Sequence, residues 1–354
     1  MKKNRYIIIS VIVLAAFALV LIFTRSETTF KRSLSNFAID DTANVTRIFM
    51  SDKNNVSVTL NRQEPGKWLV DNSFPASKFN VEMLLQTMFE LEVRHPVAKA
   101  AQNNVIRELA VNSVKVEVYQ KVYRIEIFGV RLFPHEKLTK VYYVGGATSS
   151  NQGTFMLMEN STTPFVTYLP GLRGFVSPRY SPIAKNWRDY TVFKYSIPEI
   201  SRIRVEIPET PDFSFELINH RNNNYSLVSI SDNKEVPEYD TLRVLNFLSG
   251  FRNLNYEALL NDIDKFLIDS IVNSPPFIVI TLTDTNGVSK TIKTFHKKGP
   301  EGQTDPQGNP LPYDLDRLYA LVNDGKDFVL IQYFSFSKVL RPKTFFLKEP
   351  MKNK

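Results

Sequence analysis

Val45-Thr46-Arg47-Ile48 opens an alternating apolar and polar pattern, and Ile200-Ser201-Arg202-Ile203 opens a second one 155 positions later. Such a return at a fixed distance means that the chain is built from two related units, each folding by the same rules. The later segments keep the same order in both halves. In the first half Trp68-Leu69-Val70 ends a strand and leads through Pro75 into an apolar pattern with three- and four-residue spacing: Val81, Leu84, Leu85, Met88 and Leu91. In the second, Tyr225-Ser226-Leu227-Val228 leads through Pro237 into Leu242, Leu245, Leu248, Phe251 and Leu254. Both patterns predict amphipathic helices that lay one face on a sheet. Val111-Asn112-Ser113 precedes a strand at 114–119, and Val272-Asn273-Ser274 precedes one at 277–283. Residues 155–168 align without gaps to 318–331, pairing Asn160 with Asn323, and Lys185 and Arg188 fall opposite Lys338 and Arg341.

Each unit therefore reads as an α+β layer of mainly antiparallel sheet covered on one face by helices. The units span 44–190 and 191–348, with a polar linker at 25–43 and a basic tail at 349–354. The copies differ at two places, and differences on a shared scaffold are where specific function sits. Residues 171–180 have no counterpart in the second unit. There Leu172, Arg173, Phe175, Arg179 and Tyr180 combine the residue types of a partner contact, against the plainer reading of a loop tucked onto the neighbouring unit. Residues 299–312, rich in Gly and Pro, have none in the first and read as a long hairpin loop.

Residues 6–23 hold eighteen residues without a charge. At 1.5 Å per residue they reach about 27 Å, enough for one transmembrane helix, which would occupy 1–24 together with a short cytoplasmic stub. Lys2, Lys3 and Arg5 before the run favour a cytoplasmic N-terminus. Thr24-Arg25-Ser26-Glu27 after it lacks the small residues of a cleavage site, so an uncleaved signal-anchor is expected. The expected location is thus a bacterial inner membrane, crossed once, with the bulk of the chain periplasmic or otherwise extracytoplasmic.

The chain's formal charge of +8 is unevenly spread. Residues 1–32 hold six cations against Glu27, net +5, and 348–354 hold three against Glu349, net +2, leaving +1 for the 315 residues between. A nucleic-acid binder needs its cations clustered on the folded surface, so nucleic acid is not an expected partner. The absence of cysteine removes disulfides, thiolate metal sites and a cysteine nucleophile.

Motifs for catalysis fail on spacing. His135-Glu136 begins a zinc-protease signature, but the second ligand position is Thr139 and Pro134 disfavours a helix. His95, His220 and His296 are too far apart in sequence to pair as ligands on one helix. Ser335-Phe336-Ser337-Lys338 and Ser231-Asp232-Asn233-Lys234 match parts of the penicillin-recognising signature in the wrong order, without K-T-G. Asp305, Gln307, Asn309, Asp314 and Asp316 are oxygen-bearing but lack the alternation and closing Glu of a calcium loop. The 26 Phe and 15 Tyr fall mostly where strands place core residues. No catalytic, cofactor-binding or metal-binding residue is expected.

The Trp68-Leu69-Val70 strand before the helix at 81–91, the Val-Asn-Ser lead into a strand, the Arg188-Asp189 segment running into Val192-Phe193 and the single apolar run at the N-terminus resemble the bacterial domain-of-unknown-function 4340 proteins over nearly all of residues 44–347. That resemblance implies an envelope accessory role beside ABC-type transport or gliding machinery and brings no catalytic residues. The leading expectation is a non-enzymatic, membrane-anchored binding or scaffold subunit with protein partners in the envelope. The alternatives are an envelope hydrolase or glycan-active enzyme with a site between the units, and a small-molecule binding protein feeding a transporter.

Overall fold

Alternation in the strands decides which side chains go inside, and one irregularity recurs in both halves. In β1 (Val45–Ser51) the buried residues are Val45, Ile48 and Met50, so the first pair is separated by an odd number of positions. A bulge between Val45 and Arg47 reconciles them with the two-residue period of a strand. In β11 (Ile200–Glu206), Ile200 and Ile203 are both buried, and the bulge falls between Ile200 and Arg202.

The computed structural model describes residues 35–127 and 129–348, together with 11 and 13–15. It divides into two compact units, Met1–Asp189 and Tyr190–Lys354. Besides β1, the first contains β2 (Ser57–Glu64), β3 (Lys67–Val70), β4 (Phe74–Pro75), α1 (Lys78–Glu90), β5 (Glu92–Pro96) and α2 (Lys99–Asn112). Then come β6 (Val114–Ile127), β7 (Val130–Ala147), β8 (Thr154–Met158) and β9 (Phe165–Tyr168). Among the described residues these strands form one sheet in the order β4-β3-β2-β1-β6-β7-β8-β9-β5, antiparallel throughout.

The second unit contains β10 (Thr191–Phe193), β11, β12 (Phe215–Asn219), β13 (Tyr225–Ser229), α3 (Thr241–Ser249), β14 (Leu254–Asn255), β15 (Ala258–Leu259) and α4 (Lys265–Val272). It continues through β16 (Ile278–Asp284), β17 (Ser289–Lys298), β18 (Tyr313–Val322), β19 (Asp327–Gln332) and the single turn α5 (Tyr333–Phe336). Its main sheet runs β13-β12-β11-β16-β17-β18-β19-β15, while β10 pairs with β14. The run β3-β2-β1-β6-β7-β8-β9-β5 and this one match strand for strand. Asn160 and Asn323, in the hairpin turns β8–β9 and β18–β19, both adopt positive φ, at 65° and 52°. The closing turns also correspond. The Ser77 amide donates to the Trp187 carbonyl (2.7 Å), and the Asp240 amide donates to the Phe346 carbonyl (2.8 Å). Trp187 therefore stands opposite Phe346 and Arg188 opposite Leu347, which corrects the sequence pairing of Lys185 and Arg188 with Lys338 and Arg341.

The expected fold class, an α+β chain led by one transmembrane helix, is corrected. The fold is mostly antiparallel sheet, with about 41% of the described residues in strands, and no helix among them is long and apolar enough to cross a membrane. Of the apolar run at 6–23, only 11 and 13–15 are described, and the rest lies outside the described residues. The expectation of a sheet covered on one face is also revised for unit 1. Val81, Leu84 and Met88 of α1 join Met156 of β8 in the main core. Val105 and Leu109 of α2 pack with Phe155 and Leu157, which alternate with Met156 and so project from the opposite face. α2 packs closely on β7 at Gly145, where a Cβ would overlap the Leu109 side chain.

Two further boundaries move. Within the expected linker, Phe37 and Ile39 are buried in the core of unit 1, and the Ile39 amide donates to the Met88 carbonyl (2.8 Å). In α3 the Asp240 side chain accepts from the amides of Leu242 and Arg243 and fixes the helix start. The buried face is then Val244, Phe247 and Leu248, continued by Phe251, while Leu242 is 76% exposed. Phe215, Phe247 and Phe346 pack edge to face at the centre of this core.

Candidate functional site

In α1 the residues that alternate with the buried face, Phe79, Glu82, Met83, Gln86 and Glu90, recur at three- and four-residue spacing and so share one side of the helix. Across from them run Leu169, Pro170, Gly171, Leu172 and Arg179, and the two sides enclose an open groove of about 520 Å³. Phe79, Met83, Leu169 and Leu172 give it an apolar lining, and Glu82, Gln86, Glu90 and Arg179 give it polar groups. Gln86 Nε2 donates to Glu90 Oε1 (3.0 Å), and Lys78 lies 3.7 Å from Glu82.

The loop wall is held by specific bonds. The Val176 amide donates to the buried Thr154 hydroxyl (2.9 Å). Arg179 Nη1 donates to Thr87 Oγ1 (2.7 Å), and that hydroxyl in turn donates to the Met83 carbonyl (2.7 Å). Tyr180 is buried with its ring edge-on to Tyr142, which packs the same way on Phe37. Burial pushes the Tyr180 phenol up to about 12, and burial likewise holds Tyr142 well above the ordinary tyrosine range.

The five residues singled out from the sequence therefore separate by role. Tyr180 is core, and Arg179 braces the loop against α1. Leu172 packs partly on the core and partly lines the groove. Arg173 and Phe175 are exposed on the loop. The α1 half of the groove was missed by sequence reasoning, although Phe79 and Met83 are apolar positions lying off the predicted buried stripe.

Unit 2 has its own groove, of about 680 Å³, beside the end of α3 and α5. Lys194, Arg252 and Lys338 line it together with Phe334, Ser335 and Ser337. Ser337 of the S-x-x-K match donates to the Phe334 carbonyl (3.0 Å). Phe334, one of the aromatic residues that do not fall on a strand, sits on α5 and is 90% exposed.

The remaining motifs resolve locally. His220 Nε2 bonds the Ser226 hydroxyl (3.0 Å), and the His296 ring lies between Phe277 and Tyr313. Burial lowers the His296 pKa below the usual range. Asp305 accepts from the amides of Gln307 and Asn309, making a turn within 299–312. Asp314 pairs with Lys297 (2.7 Å). Among the described residues no three His, Asp or Glu side chains converge closely enough to hold a metal ion. Compared with known proteins, the chain matches no family model, no curated protein and no solved structure.

Proposed function

We propose that this chain is a non-enzymatic binding or scaffold protein of the bacterial cell envelope, holding a protein partner in the groove between α1 and residues 169–179. The observation that carries this reading is the groove itself. It is open, lined by Phe79, Met83, Leu169 and Leu172, and carries the carboxylates of Glu82 and Glu90. An apolar stripe flanked by acids suits a segment presenting apolar side chains beside Lys or Arg, as an amphipathic helix does. The braced wall, through Arg179 and Thr87, lowers the cost of ordering on binding. The partner class that the family resemblance implies is a component of a transport or surface machinery complex.

A photo-crosslinking residue at Phe79 in the full-length chain tests this in intact cells. Discrete crosslinked proteins are expected, and Met83→Lys together with Leu172→Glu should abolish them while the chain stays folded. An unchanged crosslinking pattern in that double variant would remove the groove from the function.

A further inference from the structure

The two sheets differ most at one hairpin. β6 and β7 run for 14 and 18 residues, whereas their counterparts β16 and β17 run for 7 and 10. Among the described residues from Lys121 to Lys137 each strand of the hairpin pairs with the other alone, since β1 reaches only to Gln120 and β8 begins its pairing at Ala147 and ends it at Tyr142. The chain therefore extends a free two-stranded ribbon about 25 Å beyond the sheet, at 3.3 Å per residue. Such a ribbon is marginal in water by itself, and its open edges invite a partner.

Its surface is amphiphilic. Tyr119 faces Leu138, Tyr123 faces Pro134 and Ile125 faces Leu132, so these pairs share one side. Ile125, Val130, Leu132 and Leu138 are all exposed, and Phe133 near the tip is 64% exposed. Both carboxylates of the ribbon are already matched: Glu126 to Arg131 (2.7 Å) and Glu136 to Arg47 (2.9 Å). Lys121, Arg124 and Lys137 have no carboxylate partner among the described residues. The ribbon is thus left with surplus positive charge around apolar side chains. At its base Lys140 Nζ donates to the Asn36 carbonyl (2.8 Å) and Gln120 Nε2 to the Asp41 carbonyl (2.9 Å), which holds residues 36–41 beside the hairpin.

We infer that this ribbon is a docking element for an anionic lipid bilayer, independent of the groove beside α1. The apolar tip and stripe enter the boundary between headgroups and acyl chains, while Lys121, Arg124 and Lys137 face lipid phosphates. The complementarity is double, in charge and in polarity. A second copy of the chain fits poorly, because its ribbon would bring the same unmatched cations into contact.

The chain contains no cysteine, so Val130→Cys in the full-length protein accepts a single environment-sensitive fluorophore at the tip. Adding vesicles of phosphatidylcholine with phosphatidylglycerol should shift its emission to the blue, and lipids brominated near the headgroup should quench it. Because the probe is on the ribbon, it reports the ribbon and not the apolar run at 6–23. Vesicles of phosphatidylcholine alone should give no shift. Each of Lys121→Glu, Arg124→Glu and Lys137→Glu should weaken the response at least about fivefold, the effect of one surface cation; unchanged circular dichroism would establish that these variants fold. Emission unaffected by either vesicle, or shifted equally by both, overturns the inference. So does a shift produced only by an acidic envelope protein, which would reassign the ribbon to a protein partner.

Discussion

Tyr142 and Tyr180 put two phenols inside unit 1, and their protonation is tied to its folding. Burial favours the neutral form, so the folded pKa lies above the unfolded value of about 10. Their contribution to stability is therefore complete below about pH 10 and is lost as the pH rises through the folded values, about 12 for Tyr180. Alkali should unfold unit 1 in that window, and Tyr180→Phe should move the transition to higher pH. Tryptophan fluorescence reads this directly, because both tryptophans, Trp68 and Trp187, are buried in that unit's core. An identical alkaline midpoint in the variant would show that other groups drive the transition. The loop residues were recognisable as a difference between the two halves, but their roles were not. Arg179 meets Thr87 across 92 positions, a contact that no local pattern encodes.

At the level of elements, periodicity located α1 well: Val81, Leu84, Leu85, Met88 and Leu91 are all buried. In the second unit Leu248, Phe251 and Leu254 are buried and Leu245 packs on the core as expected, but Leu242, beside the cap at Asp240, is exposed, and Val244 and Phe247 were overlooked. The second helix of unit 1 approaches β7 closely at one glycine. At position 145 a methyl group would overlap Leu109, so Gly145→Ala should cost about 1–3 kcal/mol through overpacking. Urea unfolding of Gly145→Ala, Leu109→Ala and the double variant forms a cycle, and a favourable coupling between the two changes is expected. Simple additivity would mean that the helix shifts freely to relieve the overlap. The ribbon at 121–137 escaped notice for a different reason. A strand alternates with period two whether its apolar face is covered by a helix or left bare, so the pattern is silent about coverage.

Across the whole molecule, each hydrophobic core draws its buried residues from one unit: 37–187 for the first and 192–346 for the second. Phe247→Ala, at the centre of the second core, should cost unit 2 about 3–5 kcal/mol. Far-UV circular dichroism should register the earlier unfolding, while the tryptophan transition, confined to unit 1, stays in place. A matching shift of the tryptophan signal would mean that the two units unfold together. The repeated order of strands was readable from residue spacing, because burial leaves its period in the chain. The fold class was misjudged where it leaned on the apolar run at 6–23, since hydropathy reports what a segment prefers as solvent and not what the folded units are made of. Groove, ribbon and braced loop came into view only with the tertiary structure. They depend on which faces remain uncovered and which distant residues meet, and those are properties of packing, decided after every strand and helix has satisfied its own pattern.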